Sequence, residues 1–245
     1  MKKRWRILLP DGTKEVVALE DGYRESTESW KTLLRDLKRR GLSPPKLAVV
    51  DGVLGFWAAL GEVYPETEEQ RCWVHKIANV LDKLPKRLQP RAKSHLHDIM
   101  NAQDRETALE ELALFQQEYE AKYPKAVECL TKDVDHFFSF RNYPAAHWLH
   151  LRTTNAIEST FATVKARTRV TKGAGSRDAA LAMAFKLLTQ AEGRWRRVNS
   201  AHLVALVAAG VKFPDGRTRI LPDLPSDSVV NLQVDVAFES AIHNI

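Results

Sequence analysis

The sequence predicts an α/β protein, in which a mixed sheet interleaved with helices gives way to a long helical stretch. Three observations predict it. Two strand-like runs joined by a turn open the chain; a continuous apolar run, Leu47-Ala48-Val49-Val50, lies between two helical patterns; and from His75 onward the apolar spacing becomes helical. At 245 residues, 44% hydrophobic and 28% charged, the chain has the length and composition to bury a substantial core.

Arg4–Leu9 and Lys14–Glu20 alternate as strands do, and Pro10-Asp11-Gly12-Thr13 between them favours a tight turn, so they read as a hairpin. Ser26–Arg40 places Trp30, Leu33, Leu34 and Leu37 on one helical face; Ser26 or Thr27 caps it and Gly41 ends it. Leu47–Val50 is apolar at four consecutive positions, the pattern of a strand covered on both faces, and it stops at Asp51-Gly52. Phe56–Tyr64 is a short helix closed by Pro65, and Gln70–Val74 reads as a further strand. Asp51 therefore sits at the carboxyl end of a strand, where open α/β sheets place their sites.

From His75 to His147 the pattern is helical, broken at Pro85, Pro90 and Pro124, with Leu109, Leu112, Phe115 and Tyr119 at helical spacing. Phe137, Phe138, Phe140 and Tyr143 form an aromatic knot that belongs to a core. In Arg152-Thr153-Thr154-Asn155-Ala156-Ile157-Glu158-Ser159, one of Thr153, Thr154 and Asn155 caps a helix that carries Glu158 in its first turn. A long helix over Ser176–Asn199 and a shorter one over Leu203–Ala209 follow. Residues 211–245 hold Pro214, Pro222 and Pro225 and read as a peripheral tail.

The formal net charge is +6, but its distribution says more. Residues 159–200 carry nine Lys/Arg against two Asp/Glu, and residues 71–97 carry seven against one. Residues 104–135 reverse the balance, with four against nine. Two basic segments suit a polyanion such as a nucleic-acid backbone. Lys165, Arg167, Arg169 and Lys172, downstream of Glu158, are the candidate phosphate contacts. No apolar run has bilayer length and no secretory leader pattern follows Met1, so a cytoplasmic protein without membrane association is expected. Two cysteines, Cys72 and Cys129, make no disulfide framework. Cys72-Trp73-Val74-His75 has the spacing of half a zinc site, without a second pair to complete it. Phosphate-binding glycine loops, dinucleotide fingerprints and nucleophile elbows are missing from the sequence, so no small-molecule cofactor is expected.

Three segments resemble the bacterial insertion-sequence transposases of the Mutator type. They are Asp21-Gly22-Tyr23-Arg24-Glu25-Ser26 with its helix, Val50-Asp51-Gly52 through Gln70-Arg71-Cys72-Trp73-Val74-His75-Lys76, and Arg152 through Thr163. The likeness runs from about Val16 to Phe213, with the motifs in order and suitably separated. Ala156 stands where many relatives have proline, a preference at a first helical turn rather than a requirement.

The resemblance implies an RNase H-like mixed sheet and a transposase whose two Asp and one Glu hold two magnesium ions. Asp51 matches the second Asp and Glu158 the terminal Glu, so these two are the expected catalytic and metal-holding residues. Cys72 and His75 match a short signature that supports the active site. The implied partners are double-stranded DNA, as element ends and as target, and further copies of the protein on that DNA. On this reading, 1–75 is part of the α/β core and 76–150 a helical insertion; 151–210 holds the Glu helix and basic helices, and 211–245 a tail. The family's first Asp lies on a strand upstream of the opening hairpin, and no residue here matches it. The expectation is therefore an incomplete sheet with facing edges unpaired, and a defective copy unable to cleave DNA alone. The competing reading is a non-catalytic DNA-binding or self-associating remnant that interferes with the intact enzyme.

Overall fold

The computed structural model describes residues 2–21, 26–154, 166, 176–217 and 236–238. In chain order these contain β1 (Lys2–Leu8), β2 (Lys14–Asp21), α1 (Thr27–Arg39), β3 (Leu47–Val50), α2 (Leu54–Val63), β4 (Glu68–Arg71) and α3 (Trp73–Leu81). There follow α4 (Gln89–Asn101), α5 (Arg105–Tyr119), α6 (Pro124–Thr131), α7 (Trp148–Leu151), α8 (Arg177–Glu192), α9 (His202–Ala208) and β5 (Val236–Phe238). Short 3-10 turns over Val134–Phe137, Ser139–Asn142 and Ala145–His147 link α6 to α7. The architecture is mixed α/β and predominantly helical.

The opening hairpin forms as expected, with β1 and β2 antiparallel. Gly12 takes a φ of +82° in its turn, and the Asp11 carboxylate accepts from the Thr13 backbone N–H at 2.9 Å and hydroxyl at 2.6 Å. Gly12 is required for space as well, because a Cβ there would lie 2.5 Å from that of Ala201. Ser26 caps α1 through a reciprocal pair of bonds with Ser29, and Trp30, Leu33, Leu34 and Leu37 form its buried face.

The four-residue strand β3 is the centre of the fold. It pairs in parallel with β4 on one side and with β5 on the other. Leu47 and Val49 belong to a core shared with Trp73, Ile77 and the helices from α4 to α9. Ala48 and Val50 belong to a separate core with α1, α2, Trp30, Phe56 and Tyr64. Alternate residues of a strand point to opposite faces, so both faces are covered and all four residues are 0% exposed. That double cover is why the segment reads as an unbroken apolar run.

Four expectations need correction. The strand predicted over Gln70–Val74 ends at Arg71, and Trp73 and Val74 lie inside α3. Trp73, Lys76, Ile77 and Val80 are buried at helical spacing, and this period governs the segment once Trp73 packs on Phe137 and Phe138. The helix predicted over Ser176–Asn199 stops at Glu192, and the chain returns to the hairpin turn, where Val198 N–H donates to Gly12 O at 3.0 Å. Of the facing edges expected to be unpaired, that of β3 is paired by β5; β5 also lies near β1, which among the described residues belongs to a separate two-stranded sheet. Val236–Phe238 thus join the sheet rather than the periphery, because a strand edge with open N–H and C=O groups recruits an extended segment. The aromatic knot is core as expected, with Phe137, Phe138 and Phe140 at most 1% exposed. No helix among the described residues is long and apolar enough to cross a membrane.

Candidate functional site at the ends of β3 and β4

Two parallel strands finish side by side, with Val50 registered against Arg71, so the residues that follow each strand meet. After β3 comes Asp51, half-buried, and then Gly52 with a φ of +110°, a conformation that L side chains rarely adopt. After β4 comes Cys72, which opens α3. The Cys72 N–H donates to Val50 O at 2.8 Å and so ties the start of α3 to the residue before Asp51.

Cys72 also gathers a third segment. Its Sγ lies 3.2 Å from Thr154 Oγ1 and 3.3 Å from His75 Nδ1, and it accepts from the Thr154 N–H at 3.3 Å. Thr154 Oγ1 and His75 Nδ1 are 3.5 Å apart, which closes a three-membered polar node. The Trp73 N–H donates to Arg152 O at 3.0 Å, and Arg152 Nη1 donates to Asn101 Oδ1 at 2.8 Å. Thr154 is 0% and Cys72 1% exposed, while His75 is half-buried, so water has little access to the Cys72 and Thr154 side of the node. Burial alone would push the Cys72 thiol up, yet hydrogen bonds from His75 and Thr154 outweigh it and hold the thiol below its ordinary pKa.

Next to this node is a cluster of buried charge. Lys76 is 1% exposed; its ammonium donates to Asp133 Oδ2 at 3.1 Å and to Cys129 O at 2.5 Å, and lies 4.7 Å from the Phe137 ring centre. Arg71 Nη2 is 3.6 Å from the same Asp133 oxygen. Burial tends to raise the Asp133 carboxyl, but Lys76 and Arg71 together hold it below the usual range. Lys76 shows the converse, held below the ordinary lysine value chiefly by burial although Asp133 opposes the shift. Two buried cations therefore share one carboxylate.

The sequence-predicted residues divide in two. Asp51, Cys72 and His75 fall at the paired ends of β3 and β4, and Cys72 contacts His75 directly. Glu158, Lys165, Arg167, Arg169 and Lys172 lie outside the described residues. Among the described residues, no group of three or more His, Cys, Asp or Glu side chains is placed to hold a metal ion. Sequence reasoning missed Thr154 as a partner of Cys72; it quoted Arg71 and Lys76 within a motif but gave them no role, and it did not single out Asp133. Thr154 is 82 positions from Cys72, and Asp133 is 57 from Lys76, so no local spacing could have joined them.

The sequence signature of the family described as "Transposase, Mutator family" matches residues 7–198. The chain is 56% identical over 233 residues to the transposase for insertion sequence element IS6120 of Mycolicibacterium smegmatis, covering 93% of this chain and 72% of that protein. It is 53% identical over 207 residues to the transposase for insertion sequence element IST2 of Acidithiobacillus ferrooxidans, covering 84% and 70%. A more distant likeness, 30% over 189 residues, relates it to the transposase for insertion sequence element ISRM5 of Rhizobium meliloti, covering 77% of this chain and 48% of that protein.

Proposed function

Since the chain belongs to the Mutator family of insertion-sequence transposases, we propose that the paired ends of β3 and β4 are the heart of an RNase H-like site for DNA cleavage and strand transfer. In this reading Asp51 and Glu158 supply carboxylate oxygens to two magnesium ions. Residues 76–150 form a helical insertion between the two acids, and 151–210 carry Glu158 and the basic helices. A carboxylate at a strand end is a hard oxygen donor, which suits magnesium better than a softer ion. Bound there, the ions would stabilise charge on the attacked phosphate and on the attacking and leaving oxygens.

One observation carries the reading. Cys72 holds Val50, the neighbour of Asp51, through its N–H, and holds Thr154, four residues before Glu158, through its sulfur. Two segments far apart in sequence are thus fastened to one buried residue, which supports a convergence of Asp51 and Glu158. Cys72 and His75 act here as positioning residues, in hydrogen-bond contact with each other and with Thr154. Lys165, Arg167, Arg169 and Lys172 would lie along the DNA backbone as phosphate contacts. The substrates are duplex element ends and a duplex target, bound by several copies of the protein.

Only two of the three metal-holding carboxylates are matched among these 245 residues, so the chain by itself is proposed to bind metal and DNA without cleaving. Two measurements test this. Manganese binding, followed by electron paramagnetic resonance, should weaken by about tenfold or more on Asp51→Asn and on Glu158→Gln; unchanged binding in both would refute the assignment and favour a non-catalytic DNA-binding remnant. Magnesium-dependent nicking of terminal-repeat DNA should be undetectable, and robust nicking that disappears on Asp51→Asn would overturn the claim of inactivity.

A further inference from the structure

We propose that Arg71 and the Asp51-Gly52 turn form a binding seat for a DNA phosphate, a role that rests on the site reading above and gives it a named phosphate contact. The geometry comes from Gly52. A Cβ built on this glycine would lie 2.0 Å from Arg71 Nη1, 2.2 Å from Cζ and 2.3 Å from Nη2. The guanidinium therefore occupies the volume where any other residue would carry its side chain. A bare, left-handed turn and a long cation are fitted to one another at the residue after Asp51.

Among the described residues, the charge around Arg71 leaves it under-compensated. Its nearest carboxylate among them, Asp133, is 3.6 Å from Nη2 and is engaged more closely by Lys76 at 3.1 Å. Arg71 Nε is buried and makes no hydrogen bond among the described residues. A structural arginine ordinarily spends its donors on a matched carboxylate or on carbonyls, since a buried donor left unmet costs about 1–3 kcal/mol. Here Arg71 is 9% exposed, against a turn whose Asp51, Gly52 and Val53 are all half-buried. A planar fork of donors beside a half-buried turn matches the tetrahedral oxygens of a phosphodiester. Placed one residue from Asp51, a phosphate held by Arg71 would sit beside the carboxylate that the site reading assigns to metal.

The test is run without metal, so that it does not depend on carboxylate ligation or on cleavage. Binding of a short duplex oligonucleotide to the full chain is measured by fluorescence anisotropy across a salt series in EDTA. Arg71→Met should weaken binding and lower the slope of log affinity against log salt by about one, the signature of one lost phosphate contact. Arg71→Lys should keep most of the slope but bind more weakly, because a point charge replaces the fork. If both variants match the unsubstituted chain in affinity and slope, Arg71 is a structural residue and the proposal is overturned. If Arg71→Met fails to fold, Arg71→Lys decides: undiminished binding rejects the seat, and weakened binding with a retained slope upholds it. A failure here with manganese binding still lost on Asp51→Asn would remove the phosphate seat and leave the metal assignment standing.

Discussion

Thr154→Val removes one hydroxyl from a fully buried position and changes side-chain volume little. Thr154 is 0% exposed, and its Oγ1 lies 3.2 Å from Cys72 Sγ and 3.5 Å from His75 Nδ1. A net intramolecular hydrogen bond contributes about 0.5–1.5 kcal/mol, and one to a thiol belongs at the weak end. Counting both contacts, and noting that the Thr154 N–H still reaches Cys72 Sγ at 3.3 Å, the expected loss is about 1–2 kcal/mol. For a chain of this size each kcal/mol moves Tm by about 2–4 °C. The variant should therefore melt roughly 2–8 °C lower by differential scanning fluorimetry, and Thr154→Ser, which keeps the hydroxyl, should recover most of the difference. A double-mutant cycle with Cys72→Ala then isolates the node, since contacting residues couple by about 0.5 kcal/mol or more. Melting unchanged within about 1 °C in Thr154→Val, or strict additivity with Cys72→Ala, would refute the idea that a Cys–His–Thr node fastens this segment to the sheet.

Two further outcomes follow from buried charge elsewhere. Arg141 is 2% exposed; its Nη2 donates to Ala102 O at 2.7 Å, and its guanidinium carbon lies 5.0 Å from the Trp148 ring centre and 5.4 Å from that of Phe140. Arg141→Met should cost about 2 kcal/mol in urea unfolding, from a charge-assisted hydrogen bond and the ring contacts less the regained desolvation; no loss of stability would show that the cage is mere packing. His147 is 3% exposed and its pKa is held below the ordinary 6.5, chiefly by burial, against an opposing bond to Ser200 O. A folded-state value depressed below the unfolded one gives stability that is complete above pH 6.5 and declines as pH falls toward the folded value. His147→Gln should flatten the stability profile below that pH, and an unaltered profile would exclude His147 as its source.

The legible parts of this protein were those encoded by neighbours. Ser26 and its periodic Trp30, Leu33, Leu34 and Leu37 spelled out α1, and Pro10 through Thr13 spelled out the hairpin turn, since caps, turns and amphipathic faces depend on residues a few positions apart. Leu47–Val50 showed as a buried strand because both its faces are covered. Errors arose where a distant partner chose between local options. Trp73 and Val74 are as suited to a strand as to a helix, and packing on Phe137 and Phe138 selects the helix. Val236–Phe238, in a proline-dotted tail, acquire strand geometry only because the open edge of β3 offers hydrogen bonds.

Of the site, the order of motifs along the chain already singled out Asp51, Cys72, His75 and Glu158, and with them the family. What sequence could not contain is which atoms touch. That Arg71 lies in the space left by Gly52 follows from two parallel strands ending in register, whereas Cys72 reaches Thr154, and Lys76 and Arg71 share Asp133, because distant segments pack against those strand ends. Residue type limits the chemistry a position can perform. Only the packed chain brings those chemistries within the few ångströms over which a hydrogen bond or an ion pair acts.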